Sequence, residues 1–210
     1  MMINAKAVRV GLLHSLSGTM AISERPLLEA ELMAMDEINQ NGGVLGCRID
    51  PVIADGASIP VTFAQKAQEM LTAGITTLFG CWSSASRKAI KPLVEAASGL
   101  LWYPARHEGL EESAHIVYTG SCLNQQVTPG VNWVLAHVGS RLFLLGSDYL
   151  FPRTANQLVR SLMESHGDGG SIVGRNASLQ GETVGGESLH RCRDQREDNT
   201  RRADRNREGG

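Results

Sequence analysis

Aromatic side chains make up only 5% of this 210-residue chain, and its four cysteines are widely scattered. Cys47, Cys81, Cys122 and Cys192 show no paired short spacing. Neither a zinc site nor a disulfide framework follows, and buried free thiols are the expectation. No stretch reaches the ~18 consecutive apolar residues that a membrane span needs. An excess of one charge is also missing: 20 Lys and Arg oppose 22 Asp and Glu, with no basic cluster before residue 190. That leaves no electrostatic footprint for nucleic acid or for an anionic membrane surface. Residues 1–7 carry no apolar leader, so the chain as written is expected in the cytoplasm, or in the periplasm if a leader has been lost.

The signatures of common chemistries are absent as well. The chain has no Gly-x-Gly-x-x-Gly after its first apolar run, no phosphate loop, no Gly-x-Ser-x-Gly elbow and no His-Glu-x-x-His. No catalytic residue, cofactor or metal is expected. His107 and Glu108 form the one adjacent acid–base pair, read here as a loop hydrogen bond.

What is present is an alternation of short apolar runs with amphipathic stretches. Val8 to Leu13 reads as a buried strand, followed by a helix over Glu24 to Gln40 with Leu28, Leu32, Met35 and Ile38 inward and Pro26 in its first turn. Arg48 to Ala54, Ile75 to Phe79, Gly99 to Tyr103, Ile116 to Tyr118, Arg141 to Leu145 and Ser171 to Val173 read as strands. Val61 to Thr72, a stretch starting near Ser84, Val127 to Val138 and Thr154 to His166 read as helices. Parallel neighbours need a crossover of about a dozen residues, which a helix supplies, so the pattern predicts an α/β fold: a parallel sheet with helices on both faces. From Gln180 to Gly210 the chain is almost free of apolar residues. That segment is expected to be a disordered or aberrant tail, unable to offset its ordering entropy.

In open parallel sheets ligands sit beyond the carboxyl ends of the strands. The loops to inspect are therefore HSLSGT (His14 to Thr19), GCWSSASR (Gly80 to Arg87), WYPARHEG (Trp102 to Gly109) and GSDYLFPR (Gly146 to Arg153). In the second, Ser83 and Ser84 open a helix behind Trp82, where free backbone N–H groups attract partial negative charge, although simple capping explains the serines equally well. Trp82, Tyr103 and Tyr149 end three different strands, placing flat aromatic faces at one edge. They suit the walls of a site for a small planar molecule.

The ordered set LLHSLSGTMAISE, NGGVLG, DGAS, FGCWSSASRKA, LLWYP, HEGLEES, YTG, NQQ and GSDYLFPRTAN resembles the urea- and short-chain-amide-binding branch of the type I periplasmic binding proteins, over residues 8 to about 175. The resemblance implies two Rossmann-like α/β lobes joined by hinge strands and closing on a ligand that an ABC permease then receives. It divides the chain into a first lobe (7–121), an incomplete second lobe (122–179) and the tail (180–210). Carried over by position, Trp82, Ser84, Tyr103, the Pro104 and Ala105 backbone and Tyr149 would contact the ligand, with Ser83, Ser15 and Asp148 as secondary candidates. A ligand carbonyl would face Ser84 and the helix amides.

Two other readings compete. Amino-acid-binding relatives must hold a carboxylate and an ammonium, which calls for charged partners in the cleft; Arg87 and Arg106 are the candidates, read here as structural or solvated. A cytoplasmic amide sensor that regulates amidase expression, or a sensing domain of a signalling protein, would use the same fold without a permease.

Overall fold

The computed structural model describes residues 7–165 and 171–178. The tail that begins at residue 180, Cys192 and His166 lie outside the described residues. Among the described residues twelve elements follow one another, strand and helix alternating except that β5 follows β4 directly: β1 (Val8–His14), α1 (Ala21–Gln40), β2 (Ile49–Asp55), α2 (Pro60–Thr72), β3 (Thr77–Gly80), α3 (Ser84–Ala96), β4 (Leu100–Tyr103), β5 (Ile116–Tyr118), α4 (Leu123–His137), β6 (Arg141–Ser147), α5 (Leu150–Ser165) and β7 (Ser171–Ser178). Strands β1 to β5 form one parallel sheet in the order β2-β1-β3-β4-β5. Strands β6 and β7 form a second, two-stranded parallel sheet.

β1 explains how both faces of the large sheet are covered. Its alternate residues Val10 and Leu12 join Leu28 and Met35 of α1 and Ile49 of β2 in one apolar cluster. Leu13 points to the other face, where Phe63, Ala67, Met70 and Leu71 of α2 meet Ile90 and Val94 of α3. Leu12 and Leu13 are completely buried, each worth roughly 1.5–3 kcal/mol relative to exposure. Gly11 lets α2 come close, since a Cβ there would lie 2.7 Å from Met70 Sδ and 2.5 Å from Leu78 Cδ2. In the smaller unit, Leu144, Val159 and Met163 form the core, with Val127, Val131 and Leu135 of α4 packed on it.

Several helix starts differ from the sequence reading. α1 begins at Ala21, so Pro26 lies inside the helix rather than in its first turn. Ile38, expected inward, is exposed; Asn39 faces β2 instead, its side chain bonding both the N–H (2.7 Å) and the carbonyl (3.0 Å) of Ile49. α4 begins four residues before the expected Val127, because Cys122 acts as its cap and Gln125 reaches back to the Cys122 N–H at 2.9 Å. Pro129 is accommodated inside that helix and Pro92 inside α3. Cys47, Cys81 and Cys122 are free thiols. Among the described residues no helix is long and apolar enough to cross a membrane, and no cluster of ligating side chains could hold a metal ion.

Candidate functional site

The strand order reverses between β1 and β3, and that switch point is where an open parallel sheet leaves a crevice. The chain leaves β3 through Gly80 at φ 137° and Cys81 at φ 64°. A Cβ on Gly80 would lie 1.9 Å from the Leu13 carbonyl oxygen, so glycine is required there. The Cys81 N–H donates to that same oxygen at 3.0 Å. This paired turn carries Trp82 off the sheet edge and delivers Ser83 to the start of α3. The Ser83 hydroxyl caps the helix, accepting from the Ser86 N–H at 3.0 Å. The amides of Ser84 and Ala85 then open the helix without an intrahelical acceptor, a position that favours partial negative charge.

Trp82, Ser83, Ser84, Pro104, Ala105 and Tyr149 line one cavity of about 460 Å³, together with Met20, Arg106, Gly120, Ser121, Ser147 and Phe151. Segments that leave β3, β4, β5 and β6 thus meet at one mouth. Gly120 allows two of them to touch, since a Cβ there would stand 2.2 Å from the Ala105 carbonyl oxygen. Arg106, weighed in the sequence as a charged cleft partner for an amino acid but read as structural or solvated, lines the wall as well; its guanidinium lies 5.2 Å from the centroid of the Phe151 ring.

Three expected residues stand elsewhere. Tyr103 is fully buried behind the wall, and its hydroxyl donates to the Trp82 carbonyl at 2.8 Å. Burial pushes its pKa up to about 12, against the pull of Arg87, so the phenol stays a donor and acts as a strut beneath Trp82. Ser15 is completely buried beside a smaller cavity of about 80 Å³, its hydroxyl accepting from the Ser58 N–H at 3.1 Å. Asp148 accepts from Arg153 Nε at 2.6 Å and is not among the residues that line the larger cavity.

Two buried charge clusters hold the loops. Arg87, 1% exposed, donates from Nη2 to Glu108 and from Nε to Glu111, each at 2.8 Å. Its guanidinium lies over the Tyr103 ring, 4.8 Å from the centroid. Burial works against the charge on Arg87, but the two carboxylates outweigh it and raise its pKa. Burial would raise Glu108 and Glu111 too; hydrogen bonds from Ser84 and Arg87 to Glu108, and from Tyr118 and Arg87 to Glu111, hold both below the usual carboxylate range. HEGLEES is therefore the anchor of a buried arginine through Glu108 and Glu111, while His107 stacks on Tyr118 with ring centroids 4.4 Å apart. Beneath the β1 exit, His14 Nε2 donates to Glu31 at 2.9 Å, and Nδ1 lies 3.6 Å from Glu24. Burial disfavours charge on His14, yet these two carboxylates prevail and raise its pKa to about 9. Glu24 also accepts the Ser15 N–H at 2.8 Å, which ties the first cleft loop to α1.

Residues 8–196 match the family described as the periplasmic binding protein domain. The chain belongs to that family. The structure is similar to the branched-chain amino acid transporter substrate-binding protein LivJ of Streptococcus pneumoniae, solved with isoleucine: TM-score 0.77 at 21% identity, covering 89% of this chain and 53% of that one. It is similar, with TM-score 0.76 and 21% identity over 90% of this chain and 52% of that one, to an ABC transporter solute-binding protein of Rhodopseudomonas palustris HaA2 in complex with p-hydroxybenzoic acid. An ABC transporter substrate-binding protein of Desulfitobacterium hafniense in complex with Leu gives TM-score 0.67 at 17% identity, covering 90% and 55%. This periplasmic binding protein domain spans about half the length of these structures. They share its fold, and their names describe binding rather than turnover.

Proposed function

We propose that this periplasmic binding protein domain captures a small neutral amide, urea or a short-chain relative, between residues 7–121 and residues 122–179, and passes it to an ABC permease. The role places it on the periplasmic side. The observation that carries the reading is the single cavity that gathers Trp82, Ser83, Ser84, Pro104, Ala105 and Tyr149 from separate segments. Its volume falls in the range of small-molecule sites, roughly 300–1,000 Å³. Trp82 and Tyr149 supply flat apolar faces, and the opening amides of α3 supply donors for a carbonyl oxygen. Arg87 is engaged by Glu108 and Glu111, so it does not offer a cation to an acid in the cleft.

A second reading has its own support. Arg106 lines the cavity and is exposed, and the structural neighbours were solved with isoleucine, leucine and p-hydroxybenzoic acid, all carboxylic acids. Calorimetric titration with urea, acetamide, leucine and p-hydroxybenzoate separates the two. Heat with the amides and none with the acids is expected. Binding of leucine or p-hydroxybenzoate that is abolished by Arg106→Ala, with no response to either amide, would replace the amide reading with the acid one.

A further inference from the structure

Met20, Ser83 and Tyr149 line the large cavity and also the smaller one of about 80 Å³. The smaller space is thus a side chamber of the larger. The loop after β1, the start of α2, the first turn of α3 and the start of α5 enclose it through Ser15, Pro60, Ser86 and Leu150. A water molecule takes about 30 Å³ of liquid volume, so the chamber admits one small polar group and not an aromatic ring.

One of its walls is charged. Glu24, in the first turn of α1 and 1% exposed, is the only charged side chain among the described residues that line it. Both polar contacts of that carboxylate with the described residues fall on Oε2: the Ser15 N–H at 2.8 Å and His14 Nδ1 at 3.6 Å. Oε1 is not one of the partnerless side-chain atoms sealed from water, so this oxygen opens into the chamber. The neighbouring cations leave it unneutralised. Arg25 is turned to the Leu16 carbonyl, donating from Nε at 2.9 Å and from Nη2 at 2.6 Å. His14 is shared with Glu31 at 2.9 Å, so even a protonated ring faces two carboxylates and the trio keeps an excess negative charge. A buried carboxylate of this kind is costly unless a cation or an N–H donor reaches it. Ser58 adds a further acceptor, since its own hydrogen goes to the Ser17 carbonyl at 3.0 Å.

We propose that the side chamber is an amine subsite: Glu24 Oε1 receives an ammonium group of a ligand whose amide head occupies the large cavity, so the preferred ligand is a short amide with a second nitrogen at its far end. The inference rests on the amide reading for the head and adds the cationic end. A methyl group in the same place leaves the carboxylate without a donor, and a carboxylate there is repelled by it.

Glycinamide and propionamide are the same length and differ in carrying an ammonium or a methyl at the end remote from the amide, which makes them the probes. Their dissociation constants are measured by calorimetry at about pH 6.5, below the usual α-amino pKa of about 7.7–8.0, on the unmodified chain and on Glu24→Gln, with folding checked by circular dichroism. The unmodified chain is expected to favour glycinamide by on the order of 10- to 100-fold, the span of a hydrogen bond to a charged group. Glu24→Gln should bring that ratio to about one or below, because the ammonium then enters the chamber without a counter-charge. A ratio that Glu24→Gln leaves unchanged overturns the inference, as does an unmodified chain that binds propionamide at least as tightly as glycinamide; in both cases the amide reading stands. Should Glu24→Gln fail to fold, the Ser15 N–H, which donates to Glu24, reports from the unmodified chain: its proton resonance should move further on saturation with glycinamide than with propionamide, and equal shifts overturn the inference. If the unmodified chain binds neither amide, the amide reading falls and the subsite with it.

Discussion

Replacing Tyr103 by Phe removes one oxygen, and the structure says where its loss is felt. The ring is fully buried, and the hydroxyl is the donor to the Trp82 carbonyl at 2.8 Å and, more loosely, to the Arg106 carbonyl at 3.3 Å. A typical buried hydrogen bond contributes about 1 kcal/mol, and stranding its acceptor adds up to the cost of an unsatisfied carbonyl, about 1–3 kcal/mol. Trp82 is only half-buried, so its carbonyl can find water once the chain relaxes, and the expected loss is about 1–2 kcal/mol. For a chain of this size that corresponds to a fall in Tm of roughly 2–8 °C. Urea denaturation should show a lower midpoint with an unchanged slope, since the surface exposed on unfolding is the same. Acetamide affinity of the folded variant should change less than about threefold, because ring and hydroxyl lie behind the wall rather than on it. A variant with native stability but acetamide binding weakened more than about tenfold would refute the strut and return Tyr103 to the ligand contacts.

The remaining predictions concern the same loops. Trp82→Ala should weaken amide binding by on the order of 1–3 kcal/mol, through lost apolar burial and ring contact, as read by calorimetry; unchanged affinity would remove Trp82 from the wall. Gly80→Ala should destabilise by at least about 2 kcal/mol, measured by thermal melting, because its positive φ and the Leu13 carbonyl leave no room for a Cβ. The pKa of His14 is raised in the fold, from 6.5 to about 9, by Glu24 and Glu31 against the opposing effect of burial. Its contribution is therefore fully present below about 6.5 and is lost as pH rises through about 9. Denaturation midpoints should fall across that window, by at most about 3 kcal/mol in stability, and the fall should be absent in His14→Gln.

The element types could be read from the chain alone because each rests on local periodicity. Phe63, Ala67, Met70 and Leu71 were expected on the inner face of α2 and all four are buried. Boundaries were less legible where side chains far along the chain decide them. Asn39 turns inward in place of Ile38 because β2 offers it both backbone groups of Ile49, and a cysteine serves as the cap of α4. Neither substitution follows from propensity, since Ile favours burial and Cys is not a preferred cap.

For the site, the sequence by itself determined which loops matter: a parallel α/β alternation places the strand exits at one edge, and the residues in those exits can be named from order alone. Six of the named residues line one cavity. Only the tertiary structure decided which way each side chain turns. Tyr103 occupies a strand end like Trp82, yet strand residues alternate between faces and its partner proved to be a backbone carbonyl rather than open space. The pairing of Arg87 with Glu108 and Glu111 was equally hidden, because the arginine and the loop that bears both carboxylates lie on separate stretches of chain. A buried guanidinium announces its need for carboxylates, but which ones answer depends on how α3 and the loop after β4 are brought together.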